Sequence, residues 1–182
     1  MHKQSMLILL IVTIGVICAS LGATADGPAP WRSFDLAGKT VSIQPDVDSK
    51  GLRSYEILVE ENGLAVARLS VNRNGVLSNA WKTDLDADGN PEIVVAVVQL
   101  AGTNEGSADI HEWDGYKFLS ERTSQKISGE KSRYAGHDQY DLRDGILTRE
   151  FPRFNLQNGA QVPSSEKARY RFDMQAGRWI AQ

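Results

Sequence analysis

Between Tyr55 and Trp81 the chain reads YEILVEENGLAVARLSVNRNGVLSNAW, in which apolar and polar residues alternate with a period of two. Such alternation is the mark of strands with one buried face. It nominates Ile57, Val59, Leu64 and Val66 for that face, with Leu69 and Val71 as further candidates. Short apolar-rich runs recur to the C-terminus, separated by Asn62-Gly63, Asn74-Gly75, Asp88-Gly89, Asp114-Gly115, Asp144-Gly145 and Ala176-Gly177. Asn-Gly and Asp-Gly pairs supply the positive φ that tight hairpins demand. The pattern therefore predicts an all-β antiparallel meander, with strands at 40–44, 55–59, 65–71, 77–84, 92–99, 109–113, 140–142, 146–154, 168–174 and 178–181 and no helix. The run EIVVAVVQL lacks alternation, so it should be central in a sheet or covered on both faces. The Pro- and Gly-containing lead-in DGPAPWRSFDLAGK should be irregular. The polar stretch TSQKISGEKSRYAGHD, residues 123–138, should be a long surface connection.

The first 25 residues change the picture of where the chain works. A basic start, an uncharged apolar run from Met6 to Leu21 and the small-residue site Ala23-Thr24-Ala25 describe a cleaved secretory signal peptide. Export to the periplasm or beyond is the expectation, with no membrane insertion after cleavage. Cys18, the sole cysteine, is preceded by bulky Ile17, which disfavours lipid attachment, and cleavage removes it. The remaining chain, residues 26–182, of about 157 residues, has no disulfide available and must rely on a packed core. Its length fits a single domain. It carries 19 Lys and Arg against 23 Asp and Glu, a net charge of −4 that argues against a nucleic-acid partner and weakly favours cationic ones.

Charge matters most in KTDLDADGNPEIVVAVV, where Asp84, Asp86, Asp88 and Glu92 crowd into nine residues. The alternate aspartates followed by Gly89 copy the start of an EF-hand calcium loop. An EF-hand needs a bidentate Glu at position twelve, which here is Val95, and helical flanks, which here are strands. Two readings remain. In one, Glu92 closes a shorter calcium loop whose ion is structural; in the other, the aspartates cap backbone amides of a plain turn. Catalysis by these neighbours is disfavoured, because paired glycosidase carboxylates face each other across a cleft. His111 is expected at the surface of a strand, and His137 beside Asp138 as a polar loop pair. Neither has metal-ligand or nucleophile-activating spacing, so no enzyme is expected. Trp81, Trp113, Tyr116, Phe151 and Phe154 could line a glycan surface, but on alternating strands the core is the preferred place for them.

Taken together, SNAWKTDLDADGNPEIVVAVV, a following Gly-rich loop, IHEWDGYKF, GHDQYDLRDGILTREFPRF and ARYRFDMQAGRWIAQ resemble the periplasmic inhibitors of invertebrate-type lysozyme. The resemblance covers the chain from about Leu77 onward. It implies a compact β-sandwich or flattened barrel. It also implies that the loop after the IVVAVV strand enters the lysozyme cleft, where a Ser-Gly-x-Tyr motif bonds to the enzyme's catalytic carboxylates. The equivalent inhibitory loop here is Gly102, Thr103, Asn104, Glu105, Gly106 and Ser107, and it departs from that motif. Thr103 can stand in for the serine, but Asn104 takes the glycine position and no tyrosine follows. A glutamate such as Glu105 is repelled by catalytic carboxylates. Inhibition would need no cofactor. The alternative expectation is a calcium-stabilised envelope domain that binds a glycan or protein without inhibiting lysozyme, and homodimerisation is left open by the pattern.

Overall fold

The computed structural model describes residues 31–47, 53–99, 102, 104–123 and 133–182. The expected leader lies outside them, as do Thr103 and part of the polar connection. Among the described residues there is no helix. Twelve strands form three antiparallel sheets of four, each sheet a run of consecutive strands. The first holds β1 (Arg32–Leu36), β2 (Lys39–Val47), β3 (Arg53–Glu61) and β4 (Leu64–Asn72). The second holds β5 (Val76–Thr83), β6 (Glu92–Val98), β7 (Gly106–Trp113) and β8 (Phe118–Thr123). The third holds β9 (Gln139–Arg143), β10 (Ile146–Gln157), β11 (Ala160–Asp173) and β12 (Arg178–Ala181). The result is sandwich-like, with no closed barrel among the described residues.

Local turn chemistry explains why the chain reverses so often. Between paired Glu61 and Leu64, Asn62 at φ 53° and Gly63 at φ 76° occupy the two central positions of a hairpin turn. Both need positive φ, and that twist matches the flanking strands. Ala37-Gly38, Asp144-Gly145 and Asn158-Gly159 make the same two-residue reversal. The first overturns the expectation of an irregular lead-in, because it pairs β1 with β2. The last lengthens β10 and β11 beyond the expected bounds. Asn74-Gly75 is no hairpin turn. Gly75 links the first two sheets where a Cβ would lie 2.6 Å from Val97 Cγ1 and 2.7 Å from the Val98 carbonyl oxygen.

The β6 run explains the layering. Every residue from Glu92 to Val97 is buried, and successive side chains point to opposite faces. Ile93, Val95 and Val97 join Val41, Ile43, Ile57, Val59 and Val71 in one apolar core. Val94 joins Ile110, Leu147, Phe151, Tyr170 and Trp179 in another. The middle sheet is thus covered on both faces, as the missing alternation predicted.

Two expected core positions fall outside. Leu64 is 72% and Val66 46% exposed. The β3–β4 register slips between Val59 and Glu60, because Val59 pairs with Ala67 and Glu60 with Ala65. Val66 is the extra residue of this bulge, so alternation read through it breaks; Leu64 lies beyond it at the hairpin end. Among the aromatic residues, Trp113 and Phe151 are buried, and Trp81 and Phe154 half-buried. Tyr116 is the exception, 87% exposed at the β7–β8 turn.

Candidate functional site

The expected inhibitory loop joins the two central strands of the middle sheet, β6 and β7. Val98 pairs with Gly106, and the Gln99 amide donates to the Glu105 carbonyl at 3.0 Å. The ladder therefore closes immediately beneath the tip. Gly102 is exposed with φ 72°, Asn104 has φ 52°, and Asn104 and Glu105 are half-buried. Gly106 and Ser107 are not loop residues at all. Both belong to β7, with Gly106 buried and Ser107 paired with Val97. The described residues of the expected loop thus divide into exposed Gly102, half-buried Asn104 and Glu105, and an anchored root at Gly106 and Ser107.

A buried charge pair, Asp138 just before β9 and Arg149 on β10, holds that root. Asp138 accepts the Gly106 amide at 2.6 Å, the Arg149 Nε at 2.6 Å, and the Tyr134 hydroxyl. The side chains of Arg149 and Asp138 are 4% and 0% exposed. Three rings surround the guanidinium, those of Tyr134, Tyr140 and Phe151, with centroids 5.4 to 5.8 Å away. Such faces attract a cation, and the attraction grows with desolvation. Burial works against the Arg149 charge, but the bond to Asp138 and the surrounding groups outweigh it and raise its pKa. Burial and the Asp138 bond together push the Tyr134 hydroxyl up as well. No room remains at Gly106: a Cβ there would lie 2.7 Å from Tyr140 Cε2 and 2.8 Å from Asp138 Cβ. Next to this anchor, exposed His137 places Nδ1 3.4 Å from Asn104 Nδ2.

His137 and Asp138 therefore do different work from the polar loop pair expected of them. The described end of the 123–138 connection is not purely surface either, since Phe154 donates its amide to the Arg133 carbonyl at 2.7 Å and Ala135 donates to Pro152 at 3.2 Å. Sequence reasoning missed Arg149. Its signal was there: Leu147, Arg149 and Phe151 alternate on β10, which places a charge in an apolar row that faces the core.

The acidic loop stands at the other end of β6. Seven residues of strand separate the two loops, roughly 20 Å at about 3.3 Å per residue. Side-chain oxygens of Asp84, Asp86 and Asp88, all exposed, lie within 4.8 Å of one another. Asp84 accepts the Gly89 amide at 3.1 Å, and Asp88 accepts the Asn90 amide at 2.7 Å. Glu92 is 0% exposed; its Oε2 accepts the Leu85 amide at 2.6 Å, while Oε1 has no partner. Burial is the main reason its carboxyl is pushed up to about 7; the charges of Asp86, Asp84 and Glu112 add to this, and the Leu85 amide opposes it.

A third polar group corrects the placement of His111, which is buried rather than superficial. Tyr55 of β3 bonds to Asp109 Oδ2 at 2.8 Å and to His111 Nε2 at 2.7 Å. Its one proton goes to the carboxylate, so Nε2–H of His111 is the donor in the second bond. The bare Nδ1 has no partner. Burial therefore lowers the His111 pKa to about 4, against the pull of Asp109. Arg73 reaches Asp109 at 3.0 Å. Sealed by Phe118 and the first core, this network ties the first sheet to the second.

The chain matches no family model, and no curated protein matches it. The geometry and chemistry of these groups carry the functional reading.

Proposed function

We propose that this chain is a secreted, non-enzymatic inhibitor that binds an invertebrate-type lysozyme in the periplasm by placing the Gly102–Glu105 tip in the substrate cleft. One observation supports this above the rest: Gly102 lies exposed on the β6–β7 connection, while the root of that connection is fixed by the Asp138–Arg149 pair and by Gly106. A loop whose root is already anchored loses less freedom on binding, so more of its contact energy appears as affinity. The exposed end of a hairpin is also the right shape to enter a concave site.

Charge tunes the fit. Facing catalytic carboxylates, Glu105 opposes binding, so Glu105→Gln should strengthen inhibition, most visibly at low salt. The decisive experiment measures muramidase activity of goose-, chicken- and invertebrate-type lysozymes against the purified protein. Inhibition of the invertebrate type is expected, with loss when Thr103, Asn104 and Glu105 are replaced by Gly and Ser. A protein that melts normally yet inhibits none of the three would refute the proposal in favour of a domain that binds a different envelope glycan or protein.

A further inference from the structure

At the opposite end of the middle sheet, we propose a structural calcium site formed by Asp84, Asp86, Asp88 and Glu92. The inference does not depend on lysozyme binding. The three aspartates bring carboxylate oxygens within 4.8 Å of one another, a spacing that oxygens around one calcium ion can adopt at about 2.3 to 2.6 Å from the metal. Such a cluster alone would be an ordinary solvated turn. Glu92 makes it more than that.

Glu92 opens β6 and is fully buried, yet one of its carboxylate oxygens, Oε1, bonds to nothing. The other accepts the amide of Leu85, which lies between the first two aspartates, so the carboxylate sits beneath the acidic loop, though it is not among the three that lie within 4.8 Å of one another. Its charged neighbours are Asp86, Asp84 and Glu112, all of its own sign. Among the described residues, no lysine or arginine forms an ion pair with Asp84, Asp86 or Asp88. A buried carboxylate without a cation is costly, because desolvation is not repaid by attraction. A divalent cation would supply the missing attraction and a partner for Oε1 together. Oxygen-only donors select a hard ion, and the flexible carboxylate set, with backbone carbonyl or water completing six to eight ligands, favours calcium over octahedral magnesium.

The order of the ligands along the chain explains why the EF-hand template fails. Counting Asp84 as the first residue, the closing carboxylate is the ninth, at the start of a strand, and not the twelfth, in a helix. A strand entering directly from the loop brings Glu92 beneath it.

The test is thermal melting of the whole protein after EDTA treatment, with CaCl₂ or MgCl₂ added back, alongside Glu92→Gln and Asp86→Asn. Calcium at a hundredfold excess over its Kd should raise Tm by about 5 to 10 °C. Glu92→Gln, which removes a desolvated charge, should melt no lower than the wild type in EDTA and still bind calcium at least tenfold more weakly. Asp86→Asn should show the same loss of affinity. Three results would overturn the site: no Tm shift at 10 mM calcium, an equal shift with magnesium, or an unchanged calcium response in Glu92→Gln.

Discussion

Gly106 and Arg149 show how strongly single positions are determined here. Even one methyl group at position 106 would overlap both Tyr140 and Asp138, and overpacking of this kind costs about 1 to 3 kcal/mol. Gly106→Ala is therefore expected to lower the urea midpoint by a corresponding amount and to weaken any activity of the neighbouring tip. Arg149→Met should be worse, since it strands the Asp138 carboxylate in the interior, at a cost of about 3 to 5 kcal/mol. Replacing both members, as Asp138→Leu with Arg149→Met, should recover part of that stability. A double-mutant cycle by urea denaturation measures the recovery, and strictly additive losses would show that the pair is not coupled.

Hairpins and strands were legible where local chemistry dictates them. Alternation and Asn-Gly or Asp-Gly pairs marked β3, β9 and the turn before β10, and the unbroken valine run of β6 announced a strand covered on both faces. Legibility failed where a contact distant in sequence decides. The bulge at Val66 depends on pairing with β3, and Ala37-Gly38 forms a turn although alanine disfavours positive φ, because the β1–β2 ladder holds it there. The loop's composition was visible, but its division at Gly106 was not, since Asp138 lies 32 residues away. At the element scale, the β6–β7 hairpin should show two kinetic regimes in amide hydrogen exchange. The Gly106 amide, donated to a buried carboxylate, should exchange only with global unfolding, while the Gly102 amide exchanges quickly.

For the molecule as a whole, two buried groups impose opposite responses to acid. His111 has its pKa lowered from 6.5 to about 4, so the unfolded chain binds the extra proton first and stability falls as pH drops through that range. The groups around it are Tyr55, Asp109, Arg73 and Phe118. Glu92 has its pKa raised from 4.5 to about 7. Without metal, the folded form holds its proton more tightly, and stability falls as pH rises through that window. In EDTA, melting temperatures from pH 4 to 8 should lose the acid decline in His111→Gln and the neutral decline in Glu92→Gln. Unchanged curves in both variants would place the titrating groups elsewhere.

The roughly 20 Å of strand between the acidic loop and the β6–β7 connection carries an evolutionary consequence. Gly106, Asp138 and Arg149 hold the foot of the β6–β7 connection from within, so exposed positions beyond it can change while that anchor stays in place. A lineage could vary those exposed positions without endangering the body of the fold.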